Sequence, residues 1–166
     1  MLSFDVDGMR FNFRVAAVIA EGGRVLLAQV EGDDFWVLPG GRAEAGENSV
    51  TTLRRELAEE LGVDARVERL LWVAESFFRL AGRHFHELGF YYRVTVPGGP
   101  EGLLPEPGQT TRRQEGDQVL LFRWFPVDGL EGVPLYPAFL RRGLRSLPAT
   151  VTHVIDVDAR RETARD

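Results

Sequence analysis

Hydrophobic residues recur along this chain with two different periods, and the changes of period mark its elements. Residues 11–20 start as an alternation through Phe11, Phe13 and Val15 and then become continuously apolar, the pattern of a strand running into a buried sheet. Residues 21–24 predict a hairpin turn and residues 25–30 the returning strand, with a second turn at 31–34 before a short apolar run at 35–38. The period then lengthens: Val50, Leu53, Leu57 and Leu61 recur three and four apart, which predicts an amphipathic helix, and Gly62 stands where such a helix ends. Residues 68–79 and 84–96, joined by Ala81, Gly82 and Arg83, are rich in aromatic and β-branched residues and predict a long hairpin.

The C-terminal third is less regular. Residues 97–117 show no period and carry glycine and proline repeatedly, so they predict a long loop. Residues 119–125 predict a strand and residues 138–147 a helix with Leu140, Leu144 and Leu147 on one side. Residues 151–157 predict an edge strand, and residues 158–166 a frayed, charged tail. Hairpins with one central and one late helix predict an α/β domain, a mixed sheet flanked by helices. No repeat or linker divides the 166 residues, so residues 1–166 are read as one domain.

Composition narrows the chemistry. The chain has no cysteine, which removes thiol catalysis and cysteine-bound zinc, and all 20 basic residues are arginine, which removes a lysine nucleophile. A net charge of −5 argues against an extended nucleic-acid surface. No apolar run approaches the length of a membrane span and the N-terminus has no signal-peptide pattern, so a soluble, cytoplasmic protein is expected.

The predicted helix has a second face that packing does not explain. Glu56, Glu59 and Glu60 fall on one narrow side, and Glu56 with Glu60 is a like-charge i,i+4 pair that costs roughly 0.2–0.5 kcal/mol by itself. Arg55 reaches Glu59 at i+4, but one guanidinium does not balance three carboxylates. A hard divalent cation does, and Mg²⁺ binds through one or two carboxylates together with substrate phosphates. The preceding Gly40, Gly41 and Gly46 let backbone approach a ligand closely. An Arg- and Glu-rich helix taken alone is usually a solvated surface; the spacing of the whole stretch decides otherwise.

Residues 41–63 contain Gly41, Glu47, Arg55, Glu56, Leu57, Glu59, Glu60, Gly62 and Val63 at the nine specified positions of the pattern GX5EX7REUXEEXGU, where U is aliphatic. In this the chain resembles the Nudix hydrolases. The resemblance implies an α/β/α sandwich with a loop-helix-loop catalytic box. It also implies metal-dependent hydrolysis of the pyrophosphate bond in a nucleoside diphosphate linked to another moiety, with Mg²⁺ or Mn²⁺ as cofactor and a nucleotide as small-molecule partner. It makes Glu59 and Glu60 the main metal ligands, Glu56 a further ligand or the base, and the Gly40 carbonyl an additional ligand. Arg55 would orient a glutamate, and Glu47 would brace the loop. A base from outside the box is expected before a late strand, with Glu115 the first candidate ahead of Asp117 and Glu106, and Arg112 or Arg113 would hold phosphates. The resemblance leaves a homodimer open. The alternative reading is a catalytically silent nucleotide-binding module on the same scaffold. His84, His86 and the strand aromatics are assigned to structural roles, and Arg141 and Arg142 to a solvated helix face.

Overall fold

The computed structural model describes residues 1–97 and 105–158. Two sheets carry the chain. The first is mixed and runs in the order β1 (Ser3–Val6), β2 (Met9–Val18), β7 (Arg83–Thr95), β6 (Arg66–Leu80) and β10 (Thr152–Asp158), with β5 (Gly40–Arg42) added to the edge of β2 beside β1. β2 runs parallel to β7 and β10 parallel to β6, whereas β6 and β7 form the long antiparallel hairpin expected from their sequence. The second sheet is antiparallel, in the order β3 (Ala20–Glu21), β4 (Arg24–Val30), β9 (Gln118–Pro126) and β8 (Thr110–Glu115).

Alternate side chains of the continuously apolar run of β2, which Ile19 extends, enter two cores. Val15, Ala17 and Ile19 join Leu26 of β4, Phe122 of β9 and Leu53, Leu57 and Leu61 of the helix α1 (Ser49–Leu61). Ala16 and Val18 face the other way, onto Leu27, Trp72, Tyr91, Leu130 and Leu140. Strands buried on both faces lose alternation, which is why β2 and β4 read as solid hydrophobic runs. The result is the α/β sandwich that the box implied, with α1 over one face. A 3-10 segment (Val127–Gly132) and the single-turn α2 (Leu140–Gly143) cover the other.

Several expectations need correction. The interval 97–117 is not loop throughout: Thr110–Glu115 forms β8, whose polar residues gave no hydrophobic signal because only alternate positions are half-buried against the body of the protein. The helix expected at 138–147 is regular for one turn only, although Leu140 and Leu144 are buried as their spacing required. Gly143 packs under Trp72, where an added Cβ would lie 3.0 Å from the indole. The run at 35–38 makes only isolated bridges, Val37 to Ala28 and Trp36 to Leu135. Val50 is 38% exposed and contributes little to the helix's packing face. Arg141 is not simply solvated, since its Nε donates to the Leu135 carbonyl and its guanidinium lies over Tyr136. His86, by contrast, keeps the structural role expected of it, stacked on Phe77 with ring centroids 4.4 Å apart and meeting the edge of Phe11 at 5.4 Å. Of the tail expected at 158–166, Asp158 ends β10, and residues 159–166 lie outside the described residues. Among the described residues no helix is long and apolar enough to cross a membrane.

Candidate active site

The site begins with two glycines that have no room for a side chain. Gly40 has φ +132°, a conformation L-residues rarely adopt, and a Cβ there would collide with the Val15 carbonyl oxygen. A Cβ on Gly41 would occupy the place of the Glu56 carboxylate. The chain leaves β5 and reaches Asn48, whose side chain accepts from the Thr51 N–H at 2.9 Å and caps α1. Gly62, left-handed at φ 71°, closes the helix by donating its N–H to the Ala58 carbonyl, as its position in the sequence suggested.

Arg55 ties this loop to the helix. Its Nε and Nη2 donate to Glu47 at 3.1 Å, and its Nη1 donates to Glu56 at 2.7 Å and to Glu59 at 3.3 Å. Thr52 Oγ1 also donates to Glu47 at 3.0 Å, so Glu47 is fully engaged in holding the loop. Its carboxyl lies below the usual range because Arg55 hydrogen-bonds its ionised form.

Three carboxylates converge: Glu56 and Glu60 from α1 and Glu115 from β8 each place an oxygen within 4.8 Å of the others. Glu60 is only 7% exposed. Its carboxyl is pushed up to about 8, first by burial and then by Glu115 and Glu56, against the opposing pull of Arg14 and of the Gly40 N–H, which donates to it at 3.0 Å. Glu115 is likewise raised, by burial and by Glu56 and Glu59. Glu59 lines the same cleft, but its side chain is 51% exposed and turned onto Arg55. Gly40 meets the cluster through its amide N–H.

The arginines sort differently from expectation. Arg112 is exposed and paired with Glu31 at 2.9 Å, while Arg113 lies on the half-buried face of β8; neither lines the cleft. Arg14 and Arg42 do, and they sit directly opposite each other across β2 and β5. Like charges facing across strands are unfavourable unless an anion lies between them. Burial and the neighbouring Arg14 lower the Arg42 guanidinium from its ordinary value. The sequence did hold a signal for this pair: Asn12 and Arg14 are polar on one face of a strand that turns wholly apolar from Val15.

Residues 9–145 match the model of the NUDIX domain. The chain belongs to the Nudix family. It is 40% identical over 130 residues to the CTP pyrophosphohydrolase of Escherichia coli K12, covering 76% of this chain and 89% of that one. It is 36% identical over 75 residues to an RNA pyrophosphohydrolase of Actinobacillus pleuropneumoniae serotype 5b, and there it spans 36% of the relative's length. Solved structures repeat the fold. The MutT protein of Bacillus halodurans superposes with a TM-score of 0.57 at 20% identity, covering 86% of this chain and 89% of that one. The E. coli ORF135 protein superposes with a TM-score of 0.52 at 25% identity, covering 89% and 100%.

The Nudix cleft encloses about 830 Å³, within the usual range for a small-molecule site. Its donor set suits a hard divalent cation: all three converging groups are carboxylates, and Arg14 and one backbone N–H offset the charge of buried Glu60 against Glu56 and Glu115. Acids at one end with two arginines beside them can hold a cation and a polyanion together.

Proposed function

We propose that this Nudix protein hydrolyses the pyrophosphate bond of a nucleoside diphosphate derivative, with a nucleoside triphosphate as the first choice and a nucleotide sugar as the second. The observation that carries this is the meeting of Glu56, Glu60 and Glu115 in the cleft that Arg14 and Arg42 also line. The CTP pyrophosphohydrolase relative, aligned over most of both chains, supports a nucleotide substrate. Intact acids at every box position favour an enzyme over a silent binding module.

Each residue has a role in this reading. Glu56 and Glu60 hold Mg²⁺ or Mn²⁺, with Glu59 adding charge at the rim. Bound there, the cation would polarise phosphoryl oxygens and lower the pKa of water. Arg14 and Arg42 orient the phosphates between them. Arg112 and Arg113, on the strand that carries Glu115, supply positive potential farther out. Glu115, whose raised pKa makes it a better proton acceptor, takes a proton from the water that attacks phosphorus as the bridging P–O bond breaks. Arg55 positions Glu56 and Glu59 and does not touch substrate.

Turnover of nucleoside triphosphates and nucleotide sugars with Mg²⁺ tests the proposal. Glu60→Gln should abolish metal-dependent turnover, and Glu115→Gln should lower kcat by about 10²–10⁴-fold. Equal turnover in folded variants would overturn it. Nucleotide binding without turnover in the unaltered protein would establish the silent module instead.

A further inference from the structure

Every second residue of β2 from Ala16 back to Asn12 lies on one face, and each has a partner of different chemistry. Ala16 pairs with Gly40, whose N–H holds Glu60. Arg14 pairs with Arg42. Asn12 pairs with Glu87 of β7. The cleft therefore passes from the acid held by Gly40, through two guanidiniums, to a neutral amide beside a carboxylate. Four residues of strand separate the ends by about 13 Å, a span suited to a nucleotide lying with its phosphates at one end and its base at the other.

The far end is a side arm of about 240 Å³, and Arg14 and Arg42 line both it and the main cleft. Phe78 and Phe85 form one wall, their rings stacked with centroids 4.9 Å apart and 5° between planes. Phe35 and Tyr136, edge to face, form another. Asn12, 2% exposed, accepts from Ser3 Oγ at 2.8 Å and donates to Glu87 Oε2 at 3.4 Å. That chain of bonds fixes the Glu87 carboxylate in the wall of the arm.

We propose that this arm is a base-reading subsite in which Glu87 selects a nucleobase bearing an exocyclic amine. The inference rests on the proposed nucleotide substrate and specifies it. An ionised carboxylate only accepts hydrogen bonds and repels phosphate, so the polyphosphate lies toward Arg14 and Arg42 and the base toward Glu87. Aromatic walls suit a flat ring, and an amine at its edge donates to the carboxylate. A base with a carbonyl at that position sets oxygen against oxygen and leaves both unpaired, which is costly between aromatic walls.

The test compares CTP with UTP and ATP with ITP, pairs in which a carbonyl replaces the amine, in the unaltered protein and in Glu87→Gln. The variant keeps the shape and an acceptor for Asn12. The unaltered protein should favour the amine-bearing member of at least one pair by about 10–100-fold in kcat/KM, mainly through KM. Glu87→Gln should reduce that preference at least about tenfold, through KM. No preference in either pair, or an equal loss for both members in the variant, would overturn the subsite. Calorimetric binding of CMP against UMP in EDTA, with AMP against IMP beside it, separates this inference from the proposed hydrolysis. If neither triphosphates nor nucleotide sugars are turned over but the amine preference appears in binding and vanishes in Glu87→Gln, the hydrolase reading fails and the subsite stands. Turnover without any amine preference in binding or rate leaves the hydrolase and removes the subsite.

Discussion

Glu60 concentrates the cost of this site in a single side chain. An ordinary glutamate releases its proton near 4.5, whereas burial raises Glu60 to about 8. The groups facing it are Arg14 from β2, the Gly40 N–H from β5, Glu115 from β8 and Glu56 from its own helix. Between those two values the folded protein keeps a proton that the unfolded chain has lost. Stability of the metal-free protein therefore falls as pH rises through that window. Denaturant titrations in EDTA from about pH 5 to pH 8 should show the decline, and Glu60→Gln should flatten it. A flat profile in the unaltered protein would mean that Arg14 and the Gly40 N–H suffice to keep Glu60 ionised. The position of Glu60 in the box was legible from spacing alone, but its burial was not. Leu57 and Leu61 mark the buried side of α1, and only the approach of β5 and β8 encloses Glu60 as well.

At the scale of elements, α1 is held by its cap, its leucines and the Glu47 to Arg55 ties, and these should separate by experiment. Asn48→Ala removes one side-chain acceptor at the helix start and should cost about 1 kcal/mol. Leu57→Ala opens space in a core position with no solvent exposure and should cost about 2–5 kcal/mol. Urea melts of the two variants check the order; equal losses would mean that packing does not dominate the helix. β8 shows the limit of pattern reading. Its sequence, TTRRQE, has no apolar alternation, and its place is decided by backbone pairing with β9 after the turn at Gly116. Yet β8 brings Glu115 to the helix. An acid picked out because it precedes a late strand ends up beside Glu56 and Glu60 because a hairpin returns it there.

For the whole molecule, binding a cation and being stable are linked. A cation that binds only the folded cluster stabilises the protein by about 2.7 kcal/mol at a hundred times its dissociation constant. For a chain of this size that raises Tm by roughly 5–10 °C. Thermal melts in Mg²⁺ and in EDTA should differ by that amount, and the difference should vanish in Glu60→Gln. An unchanged Tm across saturating Mg²⁺ and Mn²⁺ would argue that the three carboxylates do not enclose a cation.

By itself the sequence determined what local periodicity and fixed spacing can encode. It marked the two-faced helix, the long hairpin, the strands with buried flanks and the glycine loop ahead of the helix, and the box spacing named the family. Only the tertiary structure decided which distant groups share the cleft. Arg14 faces Arg42 because β5 adds to β2, Glu115 reaches α1 because β8 pairs with β9, and Glu87 meets Asn12 because β7 lies parallel to β2. Spacing along a chain reports which side chains share a face of one element. The order in which strands assemble, which no single segment carries, reports which faces meet.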